Sequence, residues 1–174
     1  MSRGVVLWPD SGTAARVREL WDGLNALGLH SLATITHRLH QPHCSLSVAE
    51  QLPAGDALQA VGTVPVRPIP LLVESVGVFP SQGTLFLALV ANRALLDEQY
   101  RIHRAIAPLA VRPWPYFEFD AWTPHITLSW ALTPTELGTA IPFVLKRLPI
   151  SGTFDHGGVE DGTTGENWAA ASPN

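Results

Sequence analysis

The sequence has one cysteine, Cys44, one lysine, Lys146, and a single methionine in 174 residues. A lone thiol excludes an internal disulfide framework, and a reducing, cytoplasmic compartment is the expectation. No apolar run approaches the roughly 20 residues that cross a bilayer, so no membrane partner is expected. The opening run Val5-Val6-Leu7-Trp8 is too short for the core of a secretory signal. Charge is scarce: 11 Lys and Arg stand against 15 Asp and Glu, for a net charge of −4. Proteins that grip an extended duplex ordinarily carry a basic face, which this composition does not offer. A Gly-rich nucleotide loop is also missing. Gly157-Gly158 and the stretch 162–165 lack the lysine or the strand–helix setting of such loops.

What is present is a hydrophobic fraction of 46%, enough for a packed interior, cut into short pieces by 14 glycines and 15 prolines. A strand is predicted at Val5–Trp8. Ala14, Val17, Leu20, Trp21, Leu24 and Leu27 recur at helical spacing, with Ser11 or Thr13 available as cap and Gly28 as the stop. A short helix is expected over Pro53–Val61, and a hairpin from Leu71–Phe79 and Thr84–Val90. Asn92 caps a second long helix. Tyr116–Asp120 reads as a strand or an aromatic loop. Thr133-Pro134-Thr135-Glu136 has the form of a capping box opening a helix to about Arg147. A last hairpin is predicted from Leu148–Phe154 and Asn167–Ala170, joined across Asp155–Gly165, and Ser172-Pro173-Asn174 is expected to fray. The order is that of an α+β protein.

One phrase occurs twice, once in each half of the chain: His43-Cys44-Ser45-Leu46 and His125-Ile126-Thr127-Leu128. Strand periodicity puts His43, Ser45 and Ser47 on one face, with Cys44, Leu46 and Val48 on the other. It divides His125, Thr127 and Ser129 from Ile126, Leu128 and Trp130 in the same way. Each strand therefore offers an imidazole beside a hydroxyl. Imidazole titrates near neutrality, so one ring can take a proton from an attacking oxygen while the other gives one to a leaving oxygen. Two hydroxyls can hold the non-bridging oxygens of a phosphodiester. Such chemistry needs no metal. A metal site from His37, His40 and His43, joined by Cys44 or His125, is disfavoured because Cys44 faces away from His43 and clustered carboxylates are missing nearby. Cys44 reads as a core residue, and His30, His103 and His156 as structural or exposed.

These residues, Pro42-His43-Cys44-Ser45-Leu46 and Thr123-Pro124-His125-Ile126-Thr127-Leu128, resemble the motifs of the 2H phosphoesterase superfamily, which includes the LigT-like 2′-5′ RNA ligases and cyclic nucleotide phosphodiesterases. The matching element order extends from about Val5 to Ala170. The resemblance implies a single domain over residues 1–174, made of two pseudo-symmetric αβ lobes with antiparallel sheets around a central cleft, one motif in each lobe. It implies a metal-independent and cofactor-independent phosphodiesterase acting on 2′,3′-cyclic phosphates of nucleosides or RNA ends. His43 and His125 would be acid and base, and Ser45 and Thr127 the phosphate-binding hydroxyls. If hydrolysis gives the 2′-phosphate, His125 activates water and His43 protonates the departing 3′-oxygen. The same site could serve as a 2′-5′ RNA ligase or 2′-5′ phosphodiesterase, and a non-catalytic nucleotide-phosphate binding module is the third reading. The implied partner is a small nucleotide or an RNA end, not an extended duplex. Tyr116, Trp122 and Phe79 are candidates for base or substrate contact. Arg3 and Arg38 are further phosphate candidates, while Arg101 and Arg104 read as a solvated helix face.

Overall fold

The computed structural model describes residues 2–171; the terminal Ser172-Pro173-Asn174 lies outside the described residues. In chain order the elements are β1 (Arg3–Pro9), α1 (Ser11–Ala26), β2 (Cys44–Gln51), α2 (Ala54–Val61), β3 (Ile69–Phe79), β4 (Thr84–Leu89), α3 (Arg93–Ile106), β5 (Val111–Pro113), β6 (His125–Ser129), α4 (Pro134–Leu145), β7 (Ile150–Asp161) and β8 (Asn167–Ala169). The strands join in the order β5-β2-β1-β7-β3-β4-β6, with β8 added to β7, and every pairing is antiparallel.

Strand β7 joins two αβ lobes. Ile150–Phe154 pairs with β3, and Phe154–Asp161 pairs with β1. One lobe carries β5, β2 and β1 with α2 and α3 packed on it. The other carries β3, β4 and β6 with α1 and α4. The lobes therefore do not coincide with the sequence halves: the chain leaves β1 for α1 in the other lobe and returns with β2. Each motif still lies in its own lobe, β2 in one and β6 in the other.

The helices form for the reasons visible in the sequence. Val17, Leu20, Trp21 and Leu24 of α1 are buried on one stripe. Its cap, however, is Asp10 and not Ser11 or Thr13. The Asp10 carboxylate accepts from Thr13 N at 2.9 Å and from Thr153 N at 2.7 Å, so the cap also ties α1 to β7. Burial opposes ionisation of Asp10, but these hydrogen bonds outweigh it and hold the carboxyl below its usual range. Gly28, at φ +78°, follows the end of α1. Asn92 caps α3 through Leu95 N, and Thr133 and Glu136 form the capping box of α4.

Of the two readings of Tyr116–Asp120, strand or aromatic loop, the structure has the loop: a 3-10 turn covers Pro115–Phe117, next to an unforeseen edge strand, β5. Two expectations are corrected. The last hairpin is much longer than predicted, because β7 continues through Asp155–Asp161 and turns only at residues 162–166. Gly157 and Gly158 are strand residues under close neighbours: a Cβ on Gly158 would collide with the Trp168 carbonyl. Arg101 is no solvated residue; it donates to Glu98, to Val61 O at 2.8 Å and to Thr63 O at 2.9 Å.

Candidate active site

Both motif strands carry a β-bulge at the same position of the repeated phrase. Ser45 pairs with Val6 and Ser47 with Val5, leaving Leu46 without a partner on β1. Thr127 pairs with Phe86 and Ser129 with Leu85, leaving Leu128 without a partner on β4. A bulge breaks strict alternation. Leu46 and Ser47 are consequently both buried, as are Leu128 and Ser129, while Val48 and Trp130 swing to the cleft. This overturns the expected facing of Ser47, Val48, Ser129 and Trp130. Ser47 Oγ meets His103 Nδ1 on α3 at 3.1 Å, and Ser129 Oγ donates to His30 O at 2.7 Å. The bulged carbonyls find partners outside the sheet: Gln99 Nε2 donates to Leu46 O at 3.2 Å, and Leu32 N to Leu128 O at 3.0 Å. An indole also steadies each hydroxyl-bearing residue. Trp122 Nε1 donates to Ser45 O at 3.0 Å, and Trp21 Nε1 to Thr127 O at 3.3 Å.

Between β2 and β6 lies a cleft of about 410 Å³ lined by His43, Ser45, His125 and Thr127. The two imidazoles are held alike. His43 Nδ1 lies 2.8 Å from Gln41 O, and His125 Nδ1 lies 2.6 Å from Thr123 O. A carbonyl only accepts, so Nδ1 of each ring carries the hydrogen, and in a neutral ring the remaining lone pair sits on Nε2. The pair can thus present two equivalent nitrogens for proton transfer.

Their surroundings are not alike. His125 meets Phe79 edge-on with centroids 5.1 Å apart, and Phe86 at the same distance. Burial pushes its pKa below the ordinary imidazole value; the Thr123 carbonyl opposes the shift and the neighbouring His43 adds to it. His43 instead has Glu160 Oε2 at 3.3 Å from its Nδ1. Glu160 also faces His40 Nδ1, at 3.7 Å. Burial opposes ionisation of Glu160, yet the attraction of His43 and of His40 prevails and holds it below its usual range.

His43, Ser45, His125, Thr127, Tyr116, Trp122 and Phe79 all line this cleft, in different capacities. Tyr116 stands exposed at the rim. Trp122 is buried and forms wall, its indole N–H used on Ser45 O. Phe79 stacks on Phe86 with centroids 4.3 Å apart and supports His125. Sequence reasoning missed Trp114, Trp130 and above all Glu160. His40, on the loop before β2, also reaches the cleft. Among the described residues no arginine or lysine lines the cleft. Arg3 donates to Asp161 Oδ2 at 2.9 Å, and Arg38 is exposed on its loop. Cys44 is fully buried and its thiol is pushed up to about 12, which removes it as a nucleophile. Among the described residues no group of His, Cys, Asp and Glu has a metal-holding arrangement.

The profile of the 2′-5′ RNA ligase superfamily matches residues 9–159. A comparison with curated proteins finds no match. Among solved structures, TT0787 of Thermus thermophilus is similar at 15% identity and a TM-score of 0.61, over 99% of this chain and 96% of that one. Apo LigT of E. coli is similar at 13% identity and a TM-score of 0.57, over 98% and 95%. A protein described as a phosphoesterase is similar at 14% identity and a TM-score of 0.59, over 99% and 97%. These likenesses show a shared fold. With the superfamily match covering most of the sequence, the chain belongs to the 2′-5′ RNA ligase superfamily of 2H phosphoesterases and is an enzyme of that class.

Proposed function

We propose that this phosphoesterase hydrolyses 2′,3′-cyclic phosphates of nucleosides or short RNA ends to 2′-phosphates, with no metal or other cofactor. One observation carries the reading: two imidazoles, each with Nδ1 on the carbonyl two residues before it and each beside a strand hydroxyl, line one cleft. His125, kept neutral by burial, accepts a proton through Nε2 from a water that attacks phosphorus. The bond from phosphorus to the 3′-oxygen breaks, and His43 gives its Nε2 proton to that oxygen. Ser45 and Thr127 donate hydrogen bonds to the non-bridging oxygens, where negative charge gathers in the transition state.

A lining without arginine or lysine favours a substrate with one diester charge, and leaves no track for a polyanion. Tyr116 and Trp114 at the rim offer aromatic faces for a base. Among the described residues no helix is long and apolar enough to cross a membrane. The buried, unpaired Cys44 supports the cytoplasm as the working compartment.

The test is a set of the four nucleoside 2′,3′-cyclic phosphates, together with a 2′-5′-linked dinucleotide, each with EDTA present. Turnover of a cyclic phosphate in EDTA is expected. Turnover of the 2′-5′ linkage alone, or activity that chelation abolishes and zinc restores, would replace this reading.

A further inference from the structure

The two motifs are related by near symmetry down to their bulges, but only one has a carboxylate. Glu160 lies near the end of β7, where its backbone pairs with Gly4 of β1 and Asn167 of β8. Its position is therefore fixed by strands on both sides. Asp161, the next residue, closes the turn that follows. It accepts from Thr163 N at 2.9 Å and Thr164 N at 3.1 Å, and it takes up the Arg3 guanidinium. The Glu160 side chain is buried, at 4% exposure, and lines the cleft. Its Oε2 has no hydrogen-bond partner, and neither has the buried His40 Nδ1. A buried carboxylate is costly unless paired, so its neighbours determine what it does.

Those neighbours are all imidazoles. From the loop before β2, His40 faces Oε1, and His43 faces Oε2. His37 packs against His40 with centroids 4.1 Å apart and the rings tilted, and its own ring packs on Gly165 of the β7–β8 turn, where it leaves no room for a Cβ. His40 is also held by Thr36 Oγ1 at 2.7 Å from its Nε2 and by the edge of Trp130. From β6, His125 approaches His43. The Arg3 guanidinium is engaged by Asp161.

We infer that Glu160 is the positioning residue that makes the two histidines unequal: its buried carboxylate beside His43 Nδ1 favours that ring as the acid, while ring-packed His125, which has no carboxylate partner among the described residues, is left as the base. Glu160 touches the back of the His43 ring, at Nδ1, and leaves Nε2 free for the leaving oxygen. Attraction between a carboxylate and an imidazolium stabilises the protonated ring most in a buried setting. His43 also keeps its carbonyl bond to Gln41, so the carboxylate adds charge without turning the ring. The Glu160 carboxyl is held below its usual range against its own burial, with His43 the largest of the opposing causes, which agrees with this placement. The inference rests on the paired-histidine reading above, and it adds the source of the asymmetry.

The experiment is an NMR titration of the histidine rings in the wild-type protein and in Glu160→Gln, followed by pH–rate profiles of both on a nucleoside 2′,3′-cyclic phosphate. In the variant the His43 ring should lose its proton about one pH unit earlier, with His125 little moved, and the alkaline limb of the rate profile should fall at correspondingly lower pH. Turnover above neutrality should drop roughly 10-fold and recover as pH is lowered. Glu160→Asp, which keeps the charge, should retain most of the wild-type behaviour and serves if the glutamine variant folds poorly. An unchanged His43 titration in Glu160→Gln, or equal displacement of both rings, would overturn the inference. If no variant or wild-type protein turns over a cyclic phosphate, the proposed substrate is wrong, yet the titration still reads the role of Glu160.

Discussion

At the scale of single residues, the paired imidazoles and hydroxyls of the cleft were legible because strand chemistry is local. An imidazole and a hydroxyl two positions apart share a face of any regular strand, so His43 with Ser45 and His125 with Thr127 follow from spacing alone. Glu160 was hidden for an equally local reason. It follows Gly157 and Gly158, which read as turn residues but occupy β7, where Val6 and Trp168 leave no space for a Cβ. Replacing either histidine by alanine should lower turnover at least about 100-fold, with the protein still folded as judged by circular dichroism. The pH dependence has a definite sign. Burial lowers the pKa of His125, so its neutral, basic form persists below the ordinary value of 6.5. The acid limb of kcat/KM, if set by His125, should therefore have its midpoint below 6.5. Thr127→Val should reduce kcat more than it raises KM, because its hydroxyl is assigned to charge that grows in the transition state.

At the scale of elements, the bulges explain what periodicity could not. Alternation predicts Ser47 and Ser129 beside the histidines and Val48 and Trp130 in the core; one extra residue per strand reverses all four. Nothing in Leu46 or Leu128 announces a bulge, since the extra residue is defined only by the partner strand. Helix starts were more legible: the α4 capping box involves contacts over three residues and forms as the sequence predicts. Thr133→Ala should cost about 1 kcal/mol of stability and leave turnover unchanged, measurable by denaturant unfolding and rate assay together. Gly77 has the opposite profile. A Cβ there would collide with the Phe86 ring, and Phe86 packs on His125. Gly77→Ala should destabilise by roughly 1–3 kcal/mol and also impair turnover, because the ring it displaces supports His125, the proposed base.

At the scale of the molecule, two lobes joined by β7 bring two copies of one phrase to a common cleft. The element order exposed the duplication, but not the exchange of helices between lobes, because nothing in a strand or helix pattern says which sheet a helix will cover. The charge distribution is the other molecular property. The net charge is −4 and the cleft lining has no arginine or lysine, so affinity should depend weakly on ionic strength, and lengthening the substrate from a nucleoside to an oligonucleotide should not raise kcat/KM. A steep salt dependence, or a large gain with length, would point to a basic surface beyond the cleft. The most direct test of the paired-histidine account is phosphorus NMR of a nucleoside 2′,3′-cyclic phosphate incubated in EDTA with wild-type protein, His43→Ala and His125→Ala. The account predicts conversion to the 2′-phosphate by the wild type and none by either folded variant; undiminished conversion by either variant would contradict it.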